Sequence, residues 1–200
     1  VVKEGRRVIN NIQKASSLFL MKTFMSMALA IIFLIMRKPY PFDTSNLLLL
    51  ELLVIGLPSF ALALQKNSDI IRGRFLSNVI GRCVPGGITL TMAVMSVYIY
   101  GNVIMPNLAP AAYVSMLVIT LTYTGMIILY KNCEPFDAFR TVLVIAIGAL
   151  SVVALVFLPD VFGVSKIDKV DLFFTTTVVL ASYFVVSIMM RIMRGAKLLQ

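Results

Sequence analysis

Two oppositely charged side chains, Lys22 and Glu51, lie inside long apolar runs, Ala15–Met36 and Leu47–Leu64. No other charged residue falls within a run long enough to cross a bilayer. A lone charge at that depth costs on the order of 2.5–3.5 kcal/mol on insertion scales unless it is paired or faces water. Opposite signs on neighbouring helices therefore read as a pair turned to the interior of a helix bundle. Just beyond Glu51 comes Gly56-Leu57-Pro58, a combination that breaks a helix in mid-span. Irregular backbone survives there only where it is buried or lines a polar cavity. A carboxylate beside freed main-chain carbonyls suits a hard cation, which takes oxygen ligands. Thr23 and Ser26 add hydroxyls, Ser26 lying on the Lys22 face of the helix.

Each signal has a plainer reading. The pair could tie two helices in register, or Lys22 could extend its stem to an interface about two turns away. The hydroxyls could pack helices together, and Gly56-Pro58 could be a simple kink. The transport reading is preferred because ionisable residues within a membrane are functional candidates by default. Thr120, Thr122, Tyr123 and Thr124 form a further polar group, for which helix-to-helix hydrogen bonding is the favoured role.

Composition sets the frame for this chemistry. Of 200 residues, 60% are hydrophobic and only 14% charged, and the mean hydropathy is +0.95. That is a membrane protein. The net charge of +9 comes from basic residues flanking apolar runs, as juxtamembrane residues do, and not from a basic, aromatic groove. Nucleic acid is therefore not an expected partner. The chain has no histidine, the commonest general base and transition-metal ligand. There is no phosphate-binding Gly loop, nucleophile elbow or metal-ligand cluster, so no catalytic or cofactor-binding residue is expected here. Cys83 and Cys133 are too few for a disulfide framework and read as buried, reduced thiols. The opening at Val1, without a signal peptide or initiator Met, reads as part of something longer.

Residues 1–14 read as a polar, basic stalk continuing into the first helix, and 15–200 as a membrane domain with spans near 15–36, 47–64, 88–105, 112–130, 141–158 and 172–190. Arg37-Lys38-Pro39-Tyr40-Pro41 ends the first span, and Thr44 or Ser45 is placed to cap the second. Gln65–Cys83 interleaves basic and apolar residues and predicts a short amphipathic surface helix, with Pro85-Gly86-Gly87 opening the third span. The N-terminal segment, second loop, fourth loop and tail carry four, four, two and three Lys or Arg; the first, third and fifth loops carry two, none and two. By the positive-inside rule both termini are cytoplasmic. Only the second span is broken and no repeat relates the two halves, which argues against an inverted-repeat transporter.

Two segments carry a family resemblance. Glu4-Gly5-Arg6-Arg7-Val8-Ile9-Asn10-Asn11-Ile12-Gln13, running into a long apolar helix, resembles the end of the phosphorylation domain and the fifth membrane helix of P-type cation-transporting ATPases. Glu51 through Gly56-Leu57-Pro58 to Leu64 is similar to that family's sixth helix, where a polar ligand precedes a Gly-x-Pro-type break. The Phe75–Val79 and Cys83–Gly86 regions are similar to bacterial members of the calcium and magnesium type. The resemblance covers the chain as helices five to ten of the family's membrane bundle.

The resemblance implies roles for the charged pair and its neighbours. Glu51 falls at an ion-ligand position, and Lys22 where proton–potassium pumps place a lysine acting as a built-in cation. Thr23 and Ser26 stand where calcium pumps have Asn and Glu, and Val54 and Ile55 where they have Thr and Asp. A two-calcium site is thus not expected. One divalent ion, calcium or magnesium, or a cation coupled to protons suits a single carboxylate better. The first helix would be the rod coupling phosphorylation to the ion site, with the second loop docking on the phosphorylation domain. ATP and its magnesium would be held by cytoplasmic domains upstream, and four further membrane helices would complete the bundle in the cell membrane. The rivals are a stand-alone six-span secondary transporter or channel gated by Lys22–Glu51, and a membrane scaffold that transports nothing.

Overall fold

The computed structural model describes residues 2–65 and 74–196. Among these the structure is all-helical, without a strand. The first helix is α1 (Val2–Ile35). The second is composite: α2 (Thr44–Leu49), a π-helical segment (Leu50–Gly56) and α3 (Leu57–Leu64). α4 (Phe75–Ile99) passes into a second π-helical segment, Tyr100–Ile104. α5 (Pro110–Cys133), α6 (Ala138–Phe157) and α7 (Lys169–Gly195) follow, with a 3₁₀ turn at Pro159–Phe162. Six helical stretches are long and apolar enough to cross a membrane, and the chain is a multi-pass, all-α membrane protein.

α1 is the longest helix among the described residues, 34 residues. Leu18, Met21, Met25 and Leu29 recur every three or four residues and are fully buried, forming the inner stripe that this spacing generates on a helix. The stripe packs chiefly along α4, which in turn lies against α5 and α7. Leu90 and Val94 of α4 and Met116, Leu117 and Leu121 of α5 complete the core. The outward sides of α6 and α7 are apolar as well, with Val142, Ile145, Phe157, Phe173 and Phe184 all exposed. Apolar surface this extensive is at home against lipid tails and not in water.

Four local features differ from the sequence reading. Pro85-Gly86-Gly87 does not open a helix; α4 runs from Phe75 straight through it. The glycines serve packing. A Cβ on Gly86 would sit 3.1 Å from Ile128 and 3.2 Å from Met21, and one on Gly87 would run into the Phe24 ring. α1 and α5 can approach α4 only because nothing projects there. Of the expected amphipathic helix, residues 66–73 lie outside the described residues, and Phe75–Cys83 belong to α4. The cap of α2 is Asp43, not Thr44 or Ser45; its backbone N–H donates to Asn46 Oδ1 at 2.9 Å. Finally, among the described residues Thr124 is the one α5 threonine hydrogen-bonded to another helix, 3.2 Å from Ser182 Oγ, while Thr122 Oγ1 donates to Val118 O of its own helix. Cys83 and Cys133 are free and buried.

Candidate cation site

Lys22, on α1, and Glu51, in the first π-helical segment, form an ion pair between Nζ and Oε1. Their side chains are 31% and 41% exposed, so the pair sits on one edge of the helical body and not at its centre, where the sequence reading put it. The cause lies in how the π-helical segment packs. Leu50, Leu53, Val54 and Ile55 are buried, and Gly125 of α5 makes room for two of them: a Cβ there would lie 2.6 Å from Leu50 and 2.9 Å from Val54. With that face pressed on α5, Leu52 is exposed and Glu51 emerges beside α1.

The backbone at this point is wide. The N–H of Leu57 reaches back five residues to Leu52 O, the pattern of a π-turn, which is frequent at functional sites. Gly56 fits inside it, since a Cβ would meet Glu51 O at 3.0 Å. Pro58, buried in the first turn of α3, brings no N–H. The carbonyls of Leu53 and Val54 therefore share at most the N–H of Ser59, leaving at least one acceptor without a main-chain donor. Ser59 Oγ, one residue on, is buried and has no hydrogen-bond partner among the described residues.

Thr23 is exposed, and its hydroxyl donates to Phe19 O at 3.3 Å on its own helix. Ser26 is half-buried, one turn beyond Lys22. Among the described residues neither is hydrogen-bonded to Glu51, and no three His, Cys, Asp or Glu side chains converge. A cation held at Glu51 would draw its remaining oxygens from main-chain carbonyls, hydroxyls or elements beyond this chain.

Two polar arrangements had no reading at sequence level. At the N-terminal end of α1, Asn11 Nδ2 donates to Ala63 O (3.0 Å) and Gln65 O (2.6 Å), and Arg7 donates to Leu64 O (3.0 Å) and Gln65 O (3.2 Å). These are the last two carbonyls of α3 and that of its C-cap residue Gln65, which have no helical donor of their own. Gln65 continues the clamp: its Oε1 accepts from the buried Arg140 at 3.0 Å and its Nε2 donates to Asp137. At the other end of the bundle, the Tyr100 hydroxyl donates to the buried Asp171 at 2.8 Å, with its ring stacked on Phe174. The Arg7–Asn11 spacing is a faint signal, but their partners are more than fifty residues away and nothing local announces them.

No family model matches the chain. It is 32% identical over 166 residues to the calcium-transporting ATPase CtpE of Mycobacterium bovis, and 31% identical over 172 residues to CtpE of Mycolicibacterium smegmatis. The chain is homologous to bacterial cation-transporting ATPases of the P type. A probable cation-transporting ATPase, exp7, of Streptococcus pneumoniae is 27% identical over 169 residues. These matches cover 76%, 80% and 78% of this ATPase-related chain and 21%, 22% and 21% of the relatives. The chain thus spans about a fifth of the length of the curated relatives it matches.

Proposed function

We propose that this chain is the C-terminal part of the membrane domain of an ATP-driven cation pump, in which Glu51 is a cation ligand and Lys22 its built-in counter-charge. The observation carrying this reading is the Lys22–Glu51 ion pair on a partly open edge, with Glu51 inside a π-helical segment that Pro58 follows. A charge pair on a membrane-facing edge is costly unless more structure covers it. The proposed cover is the upstream set of membrane helices, which would bring the missing ligands. A divalent cation is favoured, calcium first, since two of the relatives are named calcium-transporting ATPases. Thr23 and Ser26 are weaker candidates for water-mediated or late-forming contacts.

In this reading α1 is the coupling rod, and both termini are cytoplasmic by the charge of the loops. Arg7 and Asn11 fasten the rod to the end of α3, so a shift of α1 carries the broken helix with it. The same shift alters the distance between Lys22 and Glu51 and hence the field at the carboxylate. ATP and magnesium act through cytoplasmic domains upstream of this chain. The test is phosphoenzyme formation from ATP by the intact protein across calcium, magnesium, manganese and potassium, with Glu51→Gln alongside. Stimulation by one cation, at a concentration raised at least tenfold in Glu51→Gln, is expected. A cation response identical in the variant would refute the assignment of Glu51.

A further inference from the structure

A cavity of about 380 Å³ opens between the C-terminal ends of α5 and α7. It lies at the end of the bundle where α1 begins, the more basic end. Three cations line it, Lys131, Arg191 and Arg194, against one carboxylate, Glu134. Lys131 is held in place: its Nζ lies 3.1 Å from Glu134, donates to the Tyr183 hydroxyl at 3.3 Å, and sits 4.5 Å from the centre of that ring. Arg194 reaches the other oxygen of Glu134 at 4.0 Å. A single carboxylate thus positions two cations, while Arg191 is exposed and has no ion-pair partner among the described residues. Phe184, Ile188 and Met190 give the remaining wall an apolar side, with the Ser187 hydroxyl among them bonded back to Tyr183 O, and Phe184 and Ile188 continue from it onto the exposed face of α7.

We infer that this groove binds the headgroup of an anionic glycerophospholipid. The phosphate would face Arg191 and Arg194, with the acyl chains along Phe184 and Ile188. Charge complementarity sets the sign: the lining has more cations than carboxylates, and basic pockets between membrane helices take anionic headgroups. The apolar wall sets the source. A free phosphate ion gains nothing from Phe184 and Ile188, whereas an amphiphile fills both halves of the groove. Tyr183 stands at the boundary, as aromatic residues with a polar tip do at a membrane interface. The inference needs only that the chain is embedded in a bilayer and is independent of Glu51.

The test is native mass spectrometry of the intact protein, purified in detergent and stripped of lipid. It is titrated with dioleoylphosphatidylglycerol, with dioleoylphosphatidylcholine, or with inorganic phosphate. The wild type is expected to bind the first phosphatidylglycerol at least about twenty-five-fold more tightly than phosphatidylcholine. In Arg191→Gln/Arg194→Gln that preference falls by about fivefold per arginine, from the attraction of a basic side chain near an anionic surface, and Arg191→Lys/Arg194→Lys keeps most of it. Arg191→Gln alone carries the same test at about fivefold should the double variant not fold. Equal binding of the two lipids by the wild type, an undiminished preference in the Gln variants, or displacement of phosphatidylglycerol by millimolar phosphate would each overturn the proposal.

Discussion

Replacing Lys22 by Met and Glu51 by Gln, singly and together, asks how much each charge depends on the other. Each single variant strands the remaining charge at membrane depth, where insertion scales put the cost on the order of 2.5–3.5 kcal/mol. A pair bathed in water would couple by only about 0.2–1 kcal/mol. With 31% and 41% of the two side chains exposed, this chain covers more than half of the pair, and in the proposed pump the upstream helices cover the rest. We therefore expect each single variant to lose about 2–3 kcal/mol of stability, and the double variant to lose little more than either one, a coupling energy near 2 kcal/mol or roughly thirtyfold. The assay is a double-mutant cycle on the intact protein in mixed micelles, unfolded by increasing dodecyl sulfate, with helicity as the signal. Losses that add to within about 0.5 kcal/mol would show the two charges to be independent and refute the pairing argument.

Other positions give sharper local tests. Gly56→Ala places a methyl group 3.0 Å from Glu51 O; the wide turn must distort, with about 1 kcal/mol lost in dodecyl sulfate titration and a several-fold weaker apparent cation affinity. Asn11→Ala removes both side-chain hydrogen bonds to the end of α3 and should lower stability by about 1–3 kcal/mol, with faster amide hydrogen exchange at residues 62–65. Tyr100→Phe takes the phenolic donor from the buried Asp171 and should cost about 1.5–3 kcal/mol; unchanged stability would mean that water replaces the hydroxyl.

The six-helix architecture was legible because apolar length is a strong, local signal: a stretch of about 20 apolar residues has few alternatives in any fold. The path of α4 was not. Proline and paired glycines read as a helix start when only neighbours along the chain are considered, yet at Pro85-Gly86-Gly87 the deciding partners are Met21, Phe24 and Ile128, from other helices. The π-helical geometry beside Glu51 is a main-chain hydrogen-bond pattern with no residue signature of its own. Gly56 and Pro58 mark where it falls without stating its form. The position of the ion pair on an edge also escaped the sequence, since it depends on which face of the segment Gly125 admits. The clamp from Arg7 and Asn11 to Gln65, and the Tyr100–Asp171 bond, join residues far apart in the chain by groups that are individually commonplace.

Equilibrium binding of radioactive calcium to the intact protein, wild type against Glu51→Gln, tests the central claim most directly. We predict saturable binding in the wild type and an affinity at least about tenfold weaker in Glu51→Gln, the equivalent of about 1.4 kcal/mol. Binding of equal affinity and stoichiometry in the two proteins would contradict the account.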